Sequence, residues 1–82
     1  MRIDKFLKNA RIIKRRTVAK EACDGGRVLI NGKVAKAGDE VSVGDRIEVQ
    51  FGTNTFRAEV LDVSDHVRKE DATALYRAVE EL

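Results

Sequence analysis

The stretch from Arg15 to Lys33 constrains the fold more than any other part of the chain. Its first half predicts a short helix from about residue 17 to residue 24, with the Thr17 hydroxyl accepting a backbone N–H as the N-terminal cap. Gly25 and Gly26 end this helix, because glycine reaches left-handed backbone angles without steric cost. The next four residues suit a strand, and Asn31-Gly32 is a strong signal for a hairpin turn.

Hydrophobic spacing predicts a helix ahead of this stretch as well. Apolar residues at helical spacing indicate an amphipathic helix over residues 4 to about 11, and they are Ile3, Phe6, Leu7 and Ala10. Asp4 suits the cap or first turn of that helix. For the second helix, the pattern leaves open whether Val18 and Ala22 or Ala19 and Cys23 face the core.

The second half of the chain predicts two strands and a helix. Polar and apolar residues alternate over 46–51, which is typical of a strand with one buried face. A turn at 52–54 leads to a further strand from Thr55 to about Val63. Apolar spacing over about 69–82 predicts an amphipathic C-terminal helix, with Glu70 and Asp71 near its start. We therefore expect one α+β domain over residues 1–82. Its core spans about 1–63, with two N-terminal helices on a small antiparallel sheet, and the last helix covers a remaining face.

The distribution of charge along the chain is uneven. Residues 1–36 carry 11 Lys and Arg against 3 acids, a net charge of +8, whereas residues 37–82 carry 5 against 11, a net charge of −6. Such asymmetry favours a polyanion as the partner of the first half, and nucleic acid is the commonest one. No apolar run approaches the roughly 20 residues of a membrane span, and one cysteine permits no internal disulfide. A cytoplasmic location is expected.

The residues that could do chemistry are few. The single histidine, His66, lies in an expected connection, and Cys23 suits a small apolar position in a helix. A basic neighbourhood that lowers the pKa of Cys23 is the alternative for that residue. Zinc would need more thiolates or imidazoles than the chain has. We therefore expect no enzyme activity, no metal site and no cofactor.

The basic residues of the first half point to RNA. Arginine forks suit phosphate oxygens, and the start of the second helix adds free N–H donors beside Arg15 and Arg16. Aromatic residues for base stacking are scarce, because Phe6 belongs to the core and the other phenylalanines fall in strands. This scarcity favours folded RNA, read by its backbone and shape, over single strands, but composition alone does not separate RNA from DNA.

Three segments resemble the S4-type RNA-binding domain, also called the alpha-L motif: residues 2–7, 14–20 and 26–34. The resemblance covers about residues 1–50 and implies that two helices and the following hairpin form one RNA-binding surface. The contacts that it implies are Arg2, Lys5, Arg15, Arg16, Thr17, Lys20, Arg27, Asn31 and Lys33. Flanking candidates on charge alone are Lys8, Arg11, Lys14 and Lys36.

The whole chain is similar to the RqcP family, small bacterial factors of ribosome-associated quality control. Its length, residues 14–17 and its acidic C-terminal end carry that similarity. The resemblance implies binding to large-subunit rRNA and P-site peptidyl-tRNA on stalled large ribosomal subunits. It also implies support for the partner RqcH, which adds alanine tails to nascent chains, and a monomer off the ribosome. The alternative is a factor like the fifteen-kilodalton heat-shock protein, which binds free large subunits carrying nascent chains but usually has a longer basic C-terminal extension.

Two other classes of function remain as alternatives. S4-type domains also occur as RNA-gripping appendages of pseudouridine synthases and of tyrosyl-tRNA synthetase. A chain of 82 residues leaves no room for their catalytic domains. An adaptor that binds protein through its acidic C-terminal helix could coexist with RNA binding.

Overall fold

The computed structural model describes residues 1–65 and 69–79. Two helices precede a five-stranded antiparallel sheet. The elements are α1 (Ile3–Asn9), α2 (Arg16–Asp24), β1 (Val28–Ile30), β2 (Lys33–Val34), β3 (Arg46–Phe51), β4 (Asn54–Val60), a 3-10 helix (Lys69–Leu75) and β5 (Tyr76–Ala78). The strands lie in the order β2-β1-β3-β4-β5. The expected α+β arrangement of two N-terminal helices and a small antiparallel sheet is confirmed.

The turn between β1 and β2 has the backbone that its sequence predicts. Asn31 and Gly32 have φ angles of 52° and 83°. Positive φ at both central residues is the requirement of a type I′ turn, whose twist matches that of the flanking strands. Helix α2 likewise ends before a left-handed glycine, since Gly26 has a φ of 76° while Gly25 stays at −82°.

The predicted cap of α2 is wrong. The helix starts one residue earlier than expected, at Arg16, and Arg15 is its N-cap residue in an extended conformation without a side-chain capping bond. Thr17 therefore lies inside the first turn, with its side chain exposed. Arg15 holds the extended N-cap conformation in place of Thr17, and Arg16 in the first turn forms an ion pair with Asp4 of α1, as described below.

A single hydrophobic core lies between the helices and one face of the sheet. Helix α1 contributes Ile3, Phe6 and Leu7, and the strands contribute Val28, Ile47, Val49, Ala58 and Val60. Of the two inward faces left open for α2, the one with Ala19 and Cys23 is correct, and Ala22 is buried beside them. Val18 is 44% exposed. Small side chains on this face let α1 and α2 pack closely.

The C-terminal segment differs from the expected helix. A 3-10 helix spans Lys69–Leu75, and the chain then forms β5, in which Tyr76 pairs with Val60 and Ala78 with Ala58 of β4. The apolar spacing of Ala72 and Leu75 was informative, because both side chains are buried. A strand follows because β4 would otherwise have an unpaired edge next to the core. The expected residues 80–82 of that helix lie outside the described residues, as does His66.

Strand β4 is shorter than predicted because the residues after it bond to the end of the 3-10 helix. It ends at Val60, because the backbone N–H groups of Leu61 and Asp62 donate to the carbonyl oxygen of Leu75 at 2.8 and 3.2 Å instead of joining a ladder. Among the described residues, no helix is long and apolar enough to cross a membrane.

Substitution of Leu75 tests how much the C-terminal segment contributes to the stability of the core. Its side chain is 2% exposed, so Leu75→Ala should lower the free energy of unfolding by about 2–5 kcal/mol in urea titrations. Thr73→Ala, on an exposed side chain of the same 3-10 helix, should change it by less than about 0.5 kcal/mol. Equal small effects would show that the segment adds little to the core.

Candidate nucleic-acid interface

A buried carboxylate lies at the start of α1. Asp4 is 2% exposed, and its two carboxylate oxygens accept hydrogen bonds from the Nε and Nη2 atoms of Arg2, both at 3.2 Å. The backbone N–H of Lys5 also donates to Asp4 Oδ1, at 2.7 Å. Asp4 thus lies in the first helical turn, as the sequence predicts, and also fixes the guanidinium of Arg2 in a forked pairing.

The same carboxylate reaches the second helix. Arg16 Nε lies 3.5 Å from Asp4 Oδ2, so one acid joins the first turns of α1 and α2. The side chains of Arg2 and Arg16 remain 48% and 46% exposed. Asp4 therefore pairs with both guanidinium groups on their protein-facing side, while about half of each arginine side chain stays exposed to solvent. A planar group with several N–H donors in a fixed position suits phosphate oxygens.

These side chains line a concave pocket of about 300 Å³. Its lining residues are Arg2, Asp4, Arg16, Thr17 and Lys20. Three cations against one carboxylate give the pocket a positive charge, and the first turn of α2 adds its unpaired backbone N–H groups and positive dipole end. The structure thus brings together four of the residues that the resemblance implied as RNA contacts. Their arrangement favours an anion.

Most of the other basic candidates are exposed and form no ion pair with the residues that the structure describes. Within residues 1–65 and 69–79, no acid forms a salt bridge with any of eight side chains, which are Lys8, Arg11, Lys14, Arg15, Lys20, Arg27, Lys33 and Lys36. The sheet differs, because two of its arginines, Arg57 and Arg77, pair across strands. Arg57 lies 3.6 Å from Glu48, and Arg77 lies 2.8 Å from Glu59. The unneutralised positive charge is therefore concentrated on the two helices and the first hairpin.

Arg11 has an unusual backbone. It follows the C-cap of α1 with a φ of 58°, in the left-handed region where glycine is the usual residue. An L residue with a Cβ is less stable there than glycine. Its exposed side chain makes no internal ion pair in the described part of the chain that would compensate. Positions of this kind often carry a functional side chain.

Asn31 has a structural use for its side chain. Its amide nitrogen donates to Asp45 Oδ1 at 3.0 Å, and its amide oxygen accepts the backbone N–H of Arg46 at 2.9 Å. Asn31 therefore fastens the hairpin turn to the start of β3. The sequence signal for the turn was clear, but the partner Asp45 lies 14 residues away and had no local signal.

Two candidates at the hairpin and α1 have acidic neighbours. Lys33 lines a second pocket with Asp39 and Glu40, so that pocket is mixed in charge. Lys5 Nζ lies 2.8 Å from Asp65 Oδ1, a contact that the sequence did not suggest. Lys5 is thus less available to an anion than the lysines without an ion pair, and Lys33 lies in a less positive environment than they do.

Cys23 is a buried core residue. Burial raises the pKa of its thiol, and together with the nearby carboxylates of Asp4, Asp24 and Asp39 it moves that pKa from 9.0 to about 11. The alternative that a basic neighbourhood lowers this pKa is wrong, because burial and these carboxylates disfavour the thiolate. Elsewhere in residues 1–65 and 69–79, no group of three His, Cys, Asp or Glu side chains is placed to hold a metal ion.

Comparison with known proteins agrees with this geometry. Residues 1–47 match the family model of the S4 domain. The chain is 51% identical to the RQC P-site tRNA stabilizing factor of Halalkalibacterium halodurans, over 99% of this chain and 92% of that protein. Its identity to the factor of the same name from Streptococcus pneumoniae is 47%, over 99% and 92% of the two chains. The chain belongs to the S4-domain family of RQC P-site tRNA stabilizing factors.

A solved structure supports the S4 fold independently. Vibrio cholerae heat shock protein 15, described as trimeric, superposes with a TM-score of 0.88 at 34% identity. The match covers 96% of the present chain and 81% of the heat shock protein 15 chain. The sequence resemblance to the S4-type domain and to the RqcP family is confirmed.

The variant Asp4→Asn tells apart two contributions to RNA binding, which are the ordering of Arg2 and Arg16 by Asp4 and the net charge of the protein. The substitution adds one unit of net positive charge, so charge alone predicts tighter RNA binding. Loss of the shared anchor of Arg2 and Arg16 should instead weaken binding by roughly 3- to 10-fold, because both side chains must then be ordered on binding. It should also lower the free energy of unfolding by about 1–3 kcal/mol. Filter binding and urea titration measure the two effects.

Asp24→Asn is the matched control for that experiment. Asp24 is exposed at the end of α2 and forms no ion pair with the residues that the structure describes. The variant should keep its stability and bind RNA as tightly as the parent or slightly more tightly. Tighter binding by both variants would contradict the role of Asp4 in placing the arginines.

Arg11→Gly should shift stability and binding in opposite directions. Relief of the left-handed backbone should raise the free energy of unfolding by about 1 kcal/mol. Loss of one phosphate contact should weaken RNA binding and flatten the slope of log K against log salt by about 0.7–0.9. Lys8→Gly, inside α1, removes the same charge but should lower stability by about 1 kcal/mol. A destabilised Arg11→Gly variant would argue against strain at this position.

Proposed function

We propose that this protein is a non-catalytic RNA clamp of ribosome-associated quality control. It binds large-subunit rRNA and the P-site peptidyl-tRNA on stalled large ribosomal subunits in the cytoplasm. By holding that tRNA, it supports RqcH-dependent alanine tailing of the nascent chain. Off the ribosome it is a monomer.

One observation carries this proposal. The first half of the chain holds eight exposed cations without internal ion pairs among the described residues, next to two arginines ordered by Asp4. Charges that are not neutralised within the protein can release counterions from a phosphate backbone, which is the main source of affinity for nucleic acid. The name that these relatives share, RQC P-site tRNA stabilizing factor, supports tRNA on the ribosome as the RNA.

The salt dependence of binding to purified bacterial large ribosomal subunits tests the clamp. If about six phosphates are neutralised, log K should fall with log salt at a slope of roughly −4 to −5. Arg16→Ala should weaken binding by roughly 10- to 100-fold, since a charge-assisted bond to phosphate is lost. A circular-dichroism melt of the same variant separates lost contacts from lost folding, because Arg16 also pairs with Asp4.

Arg77→Ala is the control with the same change in charge. Arg77 lies on β5 and is paired with Glu59, away from the cations of the helices, so its loss should change affinity less than about 2-fold. A slope near zero, or equal losses in both variants, would contradict the clamp. In a reconstituted tailing reaction, the parent chain should stimulate alanine addition by RqcH and Arg16→Ala should not.

The structural match to heat shock protein 15 favours a second candidate function. A factor of that type binds free large subunits that carry nascent chains. Both functions involve large subunits that carry peptidyl-tRNA, so the tailing reaction distinguishes them. The clamp requires that the parent chain stimulate alanine addition by RqcH, whereas binding to these subunits without any stimulation would favour the second candidate.

A further inference from the structure

The connection that follows β4 brings an acid onto the basic helix α1. Lys5 Nζ and Asp65 Oδ1 are 2.8 Å apart, with side chains 38% and 56% exposed. Of the thirteen residues expected to contact RNA, Arg2 and Arg16 pair with Asp4 of their own half of the chain. Lys5 differs because its partner comes from the acidic half.

The path of the chain fixes this contact. Leu61 and Asp62 are held by the carbonyl oxygen of Leu75, and Val63 packs against the core. Only Ser64 separates Val63 from Asp65, so Asp65 reaches α1 one residue beyond an anchored part of the chain. The position of this contact therefore follows from the anchored residues that precede it.

We propose that Asp65 competes with RNA phosphate for the ammonium group of Lys5 and so sets the affinity at this edge of the RNA-binding surface. The inference rests on the proposed RNA clamp. In the free protein Lys5 is occupied by a carboxylate, and a phosphate must displace it. An RNA that contacts only Lys5 gains little affinity, because its phosphate must first displace Asp65. An RNA that also contacts Arg2 and Arg16 has enough affinity from those contacts for its phosphate to replace Asp65 at Lys5.

The strength of the pair makes such exchange feasible. An ion pair between two half-exposed side chains changes an equilibrium constant by at most a factor of roughly five. Phosphate also carries a full negative charge and several acceptor oxygens, so it can replace a carboxylate at an ammonium group. Asp65 thus lowers the affinity for RNA at this edge but does not prevent RNA from binding there.

The test measures dissociation constants for purified bacterial large ribosomal subunits at low ionic strength. Asp65→Asn should bind roughly 2- to 5-fold more tightly than the parent chain. Asp62→Asn removes the same charge three residues away, where the described residues include no basic partner for it, and should change affinity less than about 1.5-fold. Circular-dichroism melts confirm that each variant is folded.

A double-mutant cycle with Lys5→Ala assigns the effect to the pair. In the Lys5→Ala background, Asp65→Asn should change affinity less than about 1.5-fold, because the contested ammonium is gone. An equal gain in Asp65→Asn and Asp62→Asn, or a gain that persists in that background, would overturn the inference while leaving the clamp intact. Failure of the parent chain to bind the subunits would overturn both.

Discussion

The pairing of Asp4 with Arg2 and Arg16 is the constraint on which the interface depends. A carboxylate removed from water is stable only with charged or hydrogen-bonding partners, and here it has two guanidinium groups and a backbone N–H. The arrangement ties the start of α2 to the start of α1. It also orders the two arginines before any ligand arrives, which reduces the conformational entropy lost on binding.

A second consequence follows from how charges are paired in the two halves of the chain. The net charge of +2 would suggest a nearly neutral protein. In the sheet, however, Glu48 with Arg57 and Glu59 with Arg77 neutralise one another across strands. The cations of the helices and first hairpin are largely without such partners in the described residues. The protein can therefore present strong local positive charge while its overall charge stays small, and the contact of Lys5 with Asp65 lies where these two regions meet.

Much of the fold was readable from local sequence, and the exceptions share a cause. The Asn31-Gly32 turn, the Gly26 stop and strand β3 depend on backbone preferences and alternation within a few residues, so the sequence predicted them. The start of α2 and the C-terminal strand depend on partners distant in sequence. Arg16 in the first turn of α2 pairs with Asp4, and β5 pairs with the edge of β4 where local spacing suggested an amphipathic helix. For the candidate interface, the charge pattern indicated which residues were basic. It could not indicate which were neutralised.

The short outer strands of the sheet bear on how this protein behaves at high concentration. The strands at the two borders, β2 and β5, contain 2 and 3 residues. Lys33 lies in one and Arg77 in the other. Such short borders offer another copy few backbone groups to pair with, and both also carry a charged side chain. Resistance to edge-to-edge aggregation is thus built into the two least extensive elements of the molecule.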